Sequence, residues 1–215
     1  MRILAIADIH GATEVYEWLR GAAAEYGADL IILAGDLLIG GWEEEQSEQA
    51  RAVVLPSLRA IPVPVWYIMG NDDHVDLGCD EETIRPIHGR RLIFGAWSVS
   101  RYQYSPTFMG GCHEKPEEQI ASDLVQIEAI LDGTTVLVTH TPAYGHADRI
   151  YSGKHAGSRA LAELLERKKS LCHIHGHIHH SFGREGNHFN VAAAARRRAM
   201  IIELPSLSHF VIEGR

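Results

Sequence analysis

Residues 2–10 read RILAIADIH. Apart from Arg2, the run to Ala7 is apolar throughout, as expected of a strand buried on both faces. It stops at Asp8, and His10 follows two residues later. The same unit recurs. DLIILA (29–34) runs into Gly35-Asp36, VPVWYIM (63–69) into Gly70-Asn71, TVLVT (135–139) into His140, and LCHIH (171–175) into Gly176-His177-Ile178-His179. Five strands thus deliver metal-ligating side chains at their C-terminal ends, the edge where open α/β sheets bind ligands. Glycines beside Asp36, Asn71 and His177 let the backbone turn sharply, so that the side chain faces a crevice.

Helical segments separate these strands. In EVYEWLRGAAAEYG, residues Val15, Trp18, Leu19, Ala22 and Ala23 form a stripe, with Thr13 as expected N-cap and Gly27 as terminator. EEEQSEQARAVVLPSLRA reads as a second helix, ended or kinked near Pro56. Residues 116–131 form a helix opened by Pro116, and residues 158–169 one capped by Ser158. Strand, helix, strand is the parallel-sheet pattern. RLIFGAWSVS (91–100) suggests two short strands or a hairpin. The tail segments HFNVAA, AMIIEL and SHFVIE look short and antiparallel, so a second sheet closed by the tail is expected.

The totals narrow the class. At 215 residues, 46% hydrophobic and 22% charged, the chain reads as one ordinary globular α/β domain spanning 1–215. A net charge of −8 argues against nucleic acid as the main partner, since phosphate-backbone contact needs clustered cations. The one basic cluster, Arg196, Arg197 and Arg198, lies between strand-like runs and reads as a solvated turn. Cys79, Cys112 and Cys172 imply no disulfide framework and suit the cytoplasm. No apolar run reaches the roughly 18 residues of a membrane span. The N-terminus reads as a first strand, not a signal peptide.

Seven side chains make up the candidate metal set: Asp8, His10, Asp36, Asn71, His140, His177 and His179. One divalent ion takes four to six ligands, so seven suit two ions, and a shared carboxylate is needed to hold two cations close together. Nitrogen and oxygen donors without thiolate favour Mn²⁺, Fe²⁺/Fe³⁺, Zn²⁺ or Co²⁺ over Ca²⁺ or Cu(I). Water bridging two such ions ionises near neutral pH, and the hydroxide can attack a phosphoester in line. Within HIHGHIHH (173–180), His177 and His179 follow the glycine at the crevice edge and are the expected ligands. His173 and His175 lie in the preceding strand and pack or hydrogen-bond, with His175 also a candidate partner to a ligand. His180 is expected to face solvent. Two rival readings are a histidine-rich metal buffer, which would not need Asp8 and Asp36 on distant strand ends, and a non-catalytic protein-interaction module on the same fold.

DIH, GDL with the later GND, THTP and GHIH, taken together, resemble the calcineurin-like metallophosphoesterase superfamily, in particular its small bacterial and brain-type members. The resemblance covers residues 8–179 in the right order. It implies a four-layer sandwich, with two mixed β-sheets packed face to face and helices outside. It also implies two ions: Asp8, His10, Asp36 and His179 on one, and Asp36, Asn71, His140 and His177 on the other, with Asp36 bridging. The activity implied is hydrolysis of a phosphoester substrate, with phosphodiesters favoured.

One block departs from the family. It usually reads Gly-Asn-His-Asp or Gly-Asn-His-Glu, and its histidine touches the phosphate. Here it reads Gly70-Asn71-Asp72-Asp73-His74. An ionised Asp72 repels phosphate unless it turns away, is protonated or binds something else. Candidates for a proton donor are therefore Asp72 itself, His74 and His146. The loop Thr141–Gly157, with His146, Arg149, Tyr151, Lys154 and His155, is expected to shape the substrate pocket. The first amides of the helix begun by Ser158 are a candidate anion site.

Overall fold

The computed structural model describes residues 1–87 and 91–214. The apolar runs form the centre of two six-stranded sheets. The first sheet contains β1 (Arg2–Ile6), β2 (Leu30–Ala34), β3 (Val65–Ile68), β4 (Ile84–Pro86), β13 (Arg198–Glu203) and β14 (Ser208–Glu213), in the order β14-β13-β1-β2-β3-β4. β1 to β4 are parallel, with Leu4 beside Ile31 and Ile31 beside Val65. β13 is antiparallel to β1, and β14 to β13.

The second sheet holds β5 (Leu92–Phe94), β6 (Trp97–Tyr102), β9 (Thr135–Thr139), β10 (Cys172–His175), β11 (Gly183–Glu185) and β12 (His188–Asn190), ordered β11-β12-β10-β9-β6-β5. β6, β9, β10 and β12 run parallel, and β5 and β11 are antiparallel at the edges. The short pair β7 (Ser105–Pro106) and β8 (Glu114–Lys115) brackets a loop beside the site.

Side-chain alternation then builds the layers. Ile3, Ala5 and Ala7 meet Val136, Val138 and Ile174 between the sheets. Leu4 and Ile6 face outward onto Val15 and Leu19 of α1 (Thr13–Glu25). Leu137 faces the other way, onto Ile120 and Leu124 of α4 (Glu117–Glu128) and Leu161 and Leu164 of α5 (Arg159–Arg167). The expected four-layer sandwich of two mixed sheets flanked by helices is what the chain adopts.

Several local expectations change. Thr13 is the first helical residue of α1, not its cap; Ala12 holds that place and makes no side-chain bond. The helix through Pro56 does not end there. It runs as α2 (Glu43–Gln49), a wider π-type turn (Ala50–Val54) and α3 (Leu55–Arg59), with Pro56 in the first turn of α3. The wider turn directly before Pro56 interrupts the regular helical ladder, which lets the run pass a residue that has no amide to donate. The tail hairpin β13–β14 closes the first sheet, not the second, and β12 lies parallel to β10 where an antiparallel strand was expected. β10 leaves one edge free on the buried sheet, and a returning chain can fill it in the parallel sense after a long crossover. The Arg196–Arg198 turn is partly folded back: Arg198 donates to Ala192 O at 2.9 Å and stacks over Phe182 at 3.9 Å. No helix among the described residues is long and apolar enough to cross a membrane.

Candidate metal centre

The strand ends converge because the backbone turns abruptly after them. Asp8, His10, Asp36 and His177 all have left-handed φ, at 55, 47, 52 and 68°. Such conformations are uncommon for residues with a Cβ and persist where surroundings over-determine them. Here main-chain bonds do so. Asp8 N donates to Gly35 O at 2.9 Å, His10 N to Asp36 O at 3.0 Å, and Ala195 N to Asp8 O at 2.9 Å. The ends of β1 and β2 are thereby tied to each other and to the turn before β13.

Two ligand clusters result. Asp8, His10 and His179 form one and Asp36, His140 and His177 the other; within each, potential ligand atoms lie within 4.8 Å of one another. His179 Nε2 is 3.0 Å from Asp8 Oδ1 and 3.4 Å from His10 Nε2. His140 Nε2 is 3.2 Å from Asp36 Oδ2 and 3.0 Å from Asn71 Oδ1. Asp36 Oδ2 also lies 4.0 Å from His10 Nε2, so this carboxylate faces both clusters. His140 Nδ1 is held by Ala34 O at 2.9 Å, which fixes the ring with Nε2 toward Asp36.

The electrostatics follow from two buried carboxylates facing four imidazoles. Burial pulls the pKa of His140 down, but the adjacent Asp36 carboxylate raises it to about 10. Burial likewise works against ionised Asp36, yet His140 and the Asp72 amide hold it well below the usual carboxylate range. Burial and the neighbouring His140 push His177 down to about 4. The Asp8 hydrogen bond raises His179 against the effect of burial. Among the described residues, the ion-pair partners of Asp8 and Asp36 are histidines. Buried carboxylates with no lysine or arginine partner, ringed by imidazoles that can coordinate once deprotonated, fit a pair of divalent cations.

A family model for calcineurin-like phosphoesterases matches residues 1–181. The chain belongs to that family. Among solved structures, TT1561 of Thermus thermophilus superposes with a TM-score of 0.73 at 16% identity, covering 99% of this chain and 98% of that one. A dimetal phosphatase from Danio rerio superposes with a TM-score of 0.64 at 14% identity and the same coverage. At such identities the likeness is one of fold. A UPF0046 protein of Caenorhabditis elegans, T07D4.2, is 38% identical over 52 residues, 24% of this chain and 13% of its own length. The chain spans 13 to 19% of the length of the curated relatives it matches.

In this calcineurin-like phosphoesterase, residues beyond the two clusters brace the site. Asp73 is fully buried and accepts from Leu37 N, Leu38 N and Gly70 N, tying the loop after β2 to the loop after β3. Burial and the nearby Asp36 raise its carboxyl to about 7, while the three amides favour the ionised form. Gln46 does similar work: its side chain donates to Ile39 O and Asp72 O and accepts from His74 N. Sequence reasoning missed both. A signal for Asp73 existed in the second acid of Gly-Asn-Asp-Asp; Gln46 carried none, as one polar residue on an acidic helix. Asp148 is buried, accepts from Gly145 N and Gly157 N, pairs with His155, and so shapes the 141–157 loop.

The remaining candidates are placed as follows. Asp72 Oδ2 lies 3.5 Å from His10 Nδ1. His74 Nδ1 is 3.0 Å from Cys112 Sγ. The His146 ring stacks flat on His188, with centroids 4.0 Å apart, and is not brought to the ligand clusters. His173 bonds to Thr139 and His188 inside the second sheet. His175 is wholly buried, with neither nitrogen hydrogen-bonded among the described residues. His180 is exposed, with Tyr151 beside it. The expected anion site at α5 is taken from within: Glu117 accepts from Ser158 Oγ, Arg159 N and Ala160 N, while Ser158 caps Leu161 N. A carboxylate of α4 reaches those amides first, which removes them from substrate binding.

Proposed function

We propose that this chain is a dinuclear-metal phosphoesterase that hydrolyses phosphodiesters, on a single domain in the cytoplasm. The observation that carries the reading is the pair of ligand clusters joined at Asp36. In this reading Asp8, His10, Asp36 and His179 hold one ion, and Asp36, Asn71, His140 and His177 the other. Mn²⁺, Fe, Zn²⁺ or Co²⁺ suit this donor set. When bound, two such ions supply an activated water and neutralise phosphate oxygens. The reaction consumes one water, breaks one P–O bond, and yields a phosphomonoester and an alcohol.

The protein's own groups do the positioning. His140 Nδ1 is anchored on Ala34 O, and Asp36 and Asn71 face its Nε2. The engagement of the proton-donor candidates bears on the leaving group. His146 stacks on His188, His74 faces Cys112, and Asp72 faces His10. With these three candidates engaged elsewhere, esters of more acidic alcohols, which need little protonation, are favoured. The Danio rerio neighbour's description as a dimetal phosphatase supports the same chemistry. The unpaired cysteines support the cytoplasmic placement.

The test is hydrolysis of bis(p-nitrophenyl) phosphate and p-nitrophenyl phosphate by protein stripped with chelator and reloaded with Mn²⁺. Metal-dependent turnover, faster on the diester, is expected. A protein that carries two ions per chain and turns over neither ester overturns the reading.

A further inference from the structure

Two hollows lie near the centre. The larger, about 1130 Å³, runs along α2 and is rimmed by Glu44, Glu45 and Glu48. Carboxylates there repel phosphate, and the hollow shares no residue with the ligand clusters. The smaller, about 300 Å³, is built differently. His177 and His179, one from each cluster, form its inner wall, and Phe108, Ile150, Ile178 and His180 are among its other walls. Among the described residues, no Lys, Arg, Asp or Glu lines it. We infer that this hollow receives one arm of the substrate, and that the arm is a planar aromatic group. The inference rests on the phosphoesterase reading above and goes further, to substrate class.

Three observations carry it. The first is continuity: His177 and His179 belong to the two ligand clusters and also line the hollow, so an ester whose phosphorus lies between the clusters has this space open to one arm. The second is chemistry. Phe108 is 72% exposed and stands edge-on to His177, with centroids 6.2 Å apart and planes at 85°. Tyr151, 90% exposed, lies against the lining residue His180, 5.6 Å between centroids. Aromatic faces left open beside an anion-binding centre suit stacking by a flat ring. A lining without lysine or arginine gives a second phosphate or a carboxylate no fixed cation to pair with.

The third is preorganisation. The Glu114 carboxylate accepts from the amides of Phe108, Met109 and Gly110, which fixes the loop bearing Phe108. Gly111 of that loop packs so closely on Asn71 O that a Cβ would collide with it. Across the hollow, Ile150 N donates to Lys154 O at 2.9 Å and Gly153 N to Ile150 O at 2.8 Å, a tight turn holding Ile150. Walls fixed before the ligand arrives lower the ordering cost of binding.

The test uses metal-loaded protein and non-hydrolysable probes. Phenylphosphonate and methylphosphonate differ only in the arm; the carbon-bridged phosphonate analogues of adenosine 5′-phosphate and ribose 5-phosphate, with C–P in place of the ester C–O–P, differ only in an aromatic base carried on a sugar. Dissociation constants are measured by calorimetry for wild type, Phe108→Ala and Ile150→Ala, with metal content checked in each. At least one aromatic probe should bind about fivefold or more tighter than its partner, the lower end of what one stacking contact supplies. Phe108→Ala should reduce that ratio to roughly twofold or less. Preference in the first pair places the ring directly on the phosphorus or its ester oxygen, and preference in the second places it beyond a sugar. Equal affinities within both pairs, or a preference that survives both substitutions, overturn the inference. Diester hydrolysis measured in the same samples separates the two ideas. An active enzyme with equal affinities loses only the aromatic arm, and an inactive one with two ions bound loses the phosphoesterase reading.

Discussion

Asp72 Oδ2 lies 3.5 Å from Nδ1 of His10, while Nε2 of the same ring lies 3.4 Å from Nε2 of His179 within the metal cluster. The carboxylate therefore sits where it holds the His10 ring in orientation, at the position of the histidine in the usual Gly-Asn-His block. Its main chain is fixed in turn by Asp72 N donating to Asp36 Oδ1 at 2.9 Å.

Asp72→Ala should weaken metal binding at the cluster of Asp8, His10 and His179 by about 10- to 100-fold, the usual effect of losing a carboxylate that orients a histidine ligand. Excess Mn²⁺ should then restore most of kcat. Metal titrations and turnover on aryl and alkyl diesters check this. If metal affinity is intact and only the alkyl ester suffers, Asp72 acts as the proton donor instead.

Asp36→Ala removes a carboxylate that faces both clusters, at 3.2 Å from His140 and 4.0 Å from His10. Metal content by mass spectrometry should fall from two ions per chain to one or fewer. Diester turnover should fall by about 10³-fold or more, as expected when charge stabilisation of the transition state is lost. Two ions retained in this variant would exclude Asp36 as a bridge.

Gly70 shows how little room the site leaves. A Cβ there would run into Asp36 Oδ1 and the Asp36 amide. Gly70→Ala should displace Asp36 and cost roughly 1–3 kcal/mol of stability, the scale of overpacking in a tight interior. The expected signature is a lowered Tm together with lost metal affinity. Unchanged metal binding at a lowered Tm would show that the loop relaxes away from the ligand.

Acid should destabilise the second sheet through its inner histidines. His188 is buried against His173 and His146, and burial lowers its pKa from 6.5 to about 4. Above pH 6.5 it is neutral in both folded and unfolded chains. Below that the unfolded chain takes up a proton that the fold refuses, so stability falls until His188 itself titrates near pH 4. The nominal loss is roughly 3 kcal/mol. Urea unfolding of metal-free protein at pH 7.5 and about pH 4.5 should therefore show a smaller acid loss in His188→Gln than in wild type. An equal loss in both would place the acid sensitivity elsewhere.

The residues that the structure brings together at the strand ends were legible in the sequence because they are chemically conspicuous. A charged or imidazole side chain at the end of an apolar run stands out, and five such ends leave little room for coincidence. The braces were not legible. Asp73, Gln46 and Glu117 act through backbone amides brought near them from distant segments, and no local pattern marks such contacts. Phe108 and Ile150 look like ordinary loop residues until the 105–115 and 141–157 loops are seen on either side of His177.

By itself the sequence determined the central strands of both sheets, that most run parallel, and which side chains end them, because burial periodicity and residue chemistry are local properties; the short strands β4, β7, β8 and β11 carried no such pattern. Only the tertiary structure decided that the tail hairpin joins β1, that β12 returns parallel to β10, and that Asp72 meets His10. Each of these depends on which free edge or side chain comes within hydrogen-bonding reach once the two sheets close face to face. That distance is set by packing of the whole chain, and no single segment encodes it.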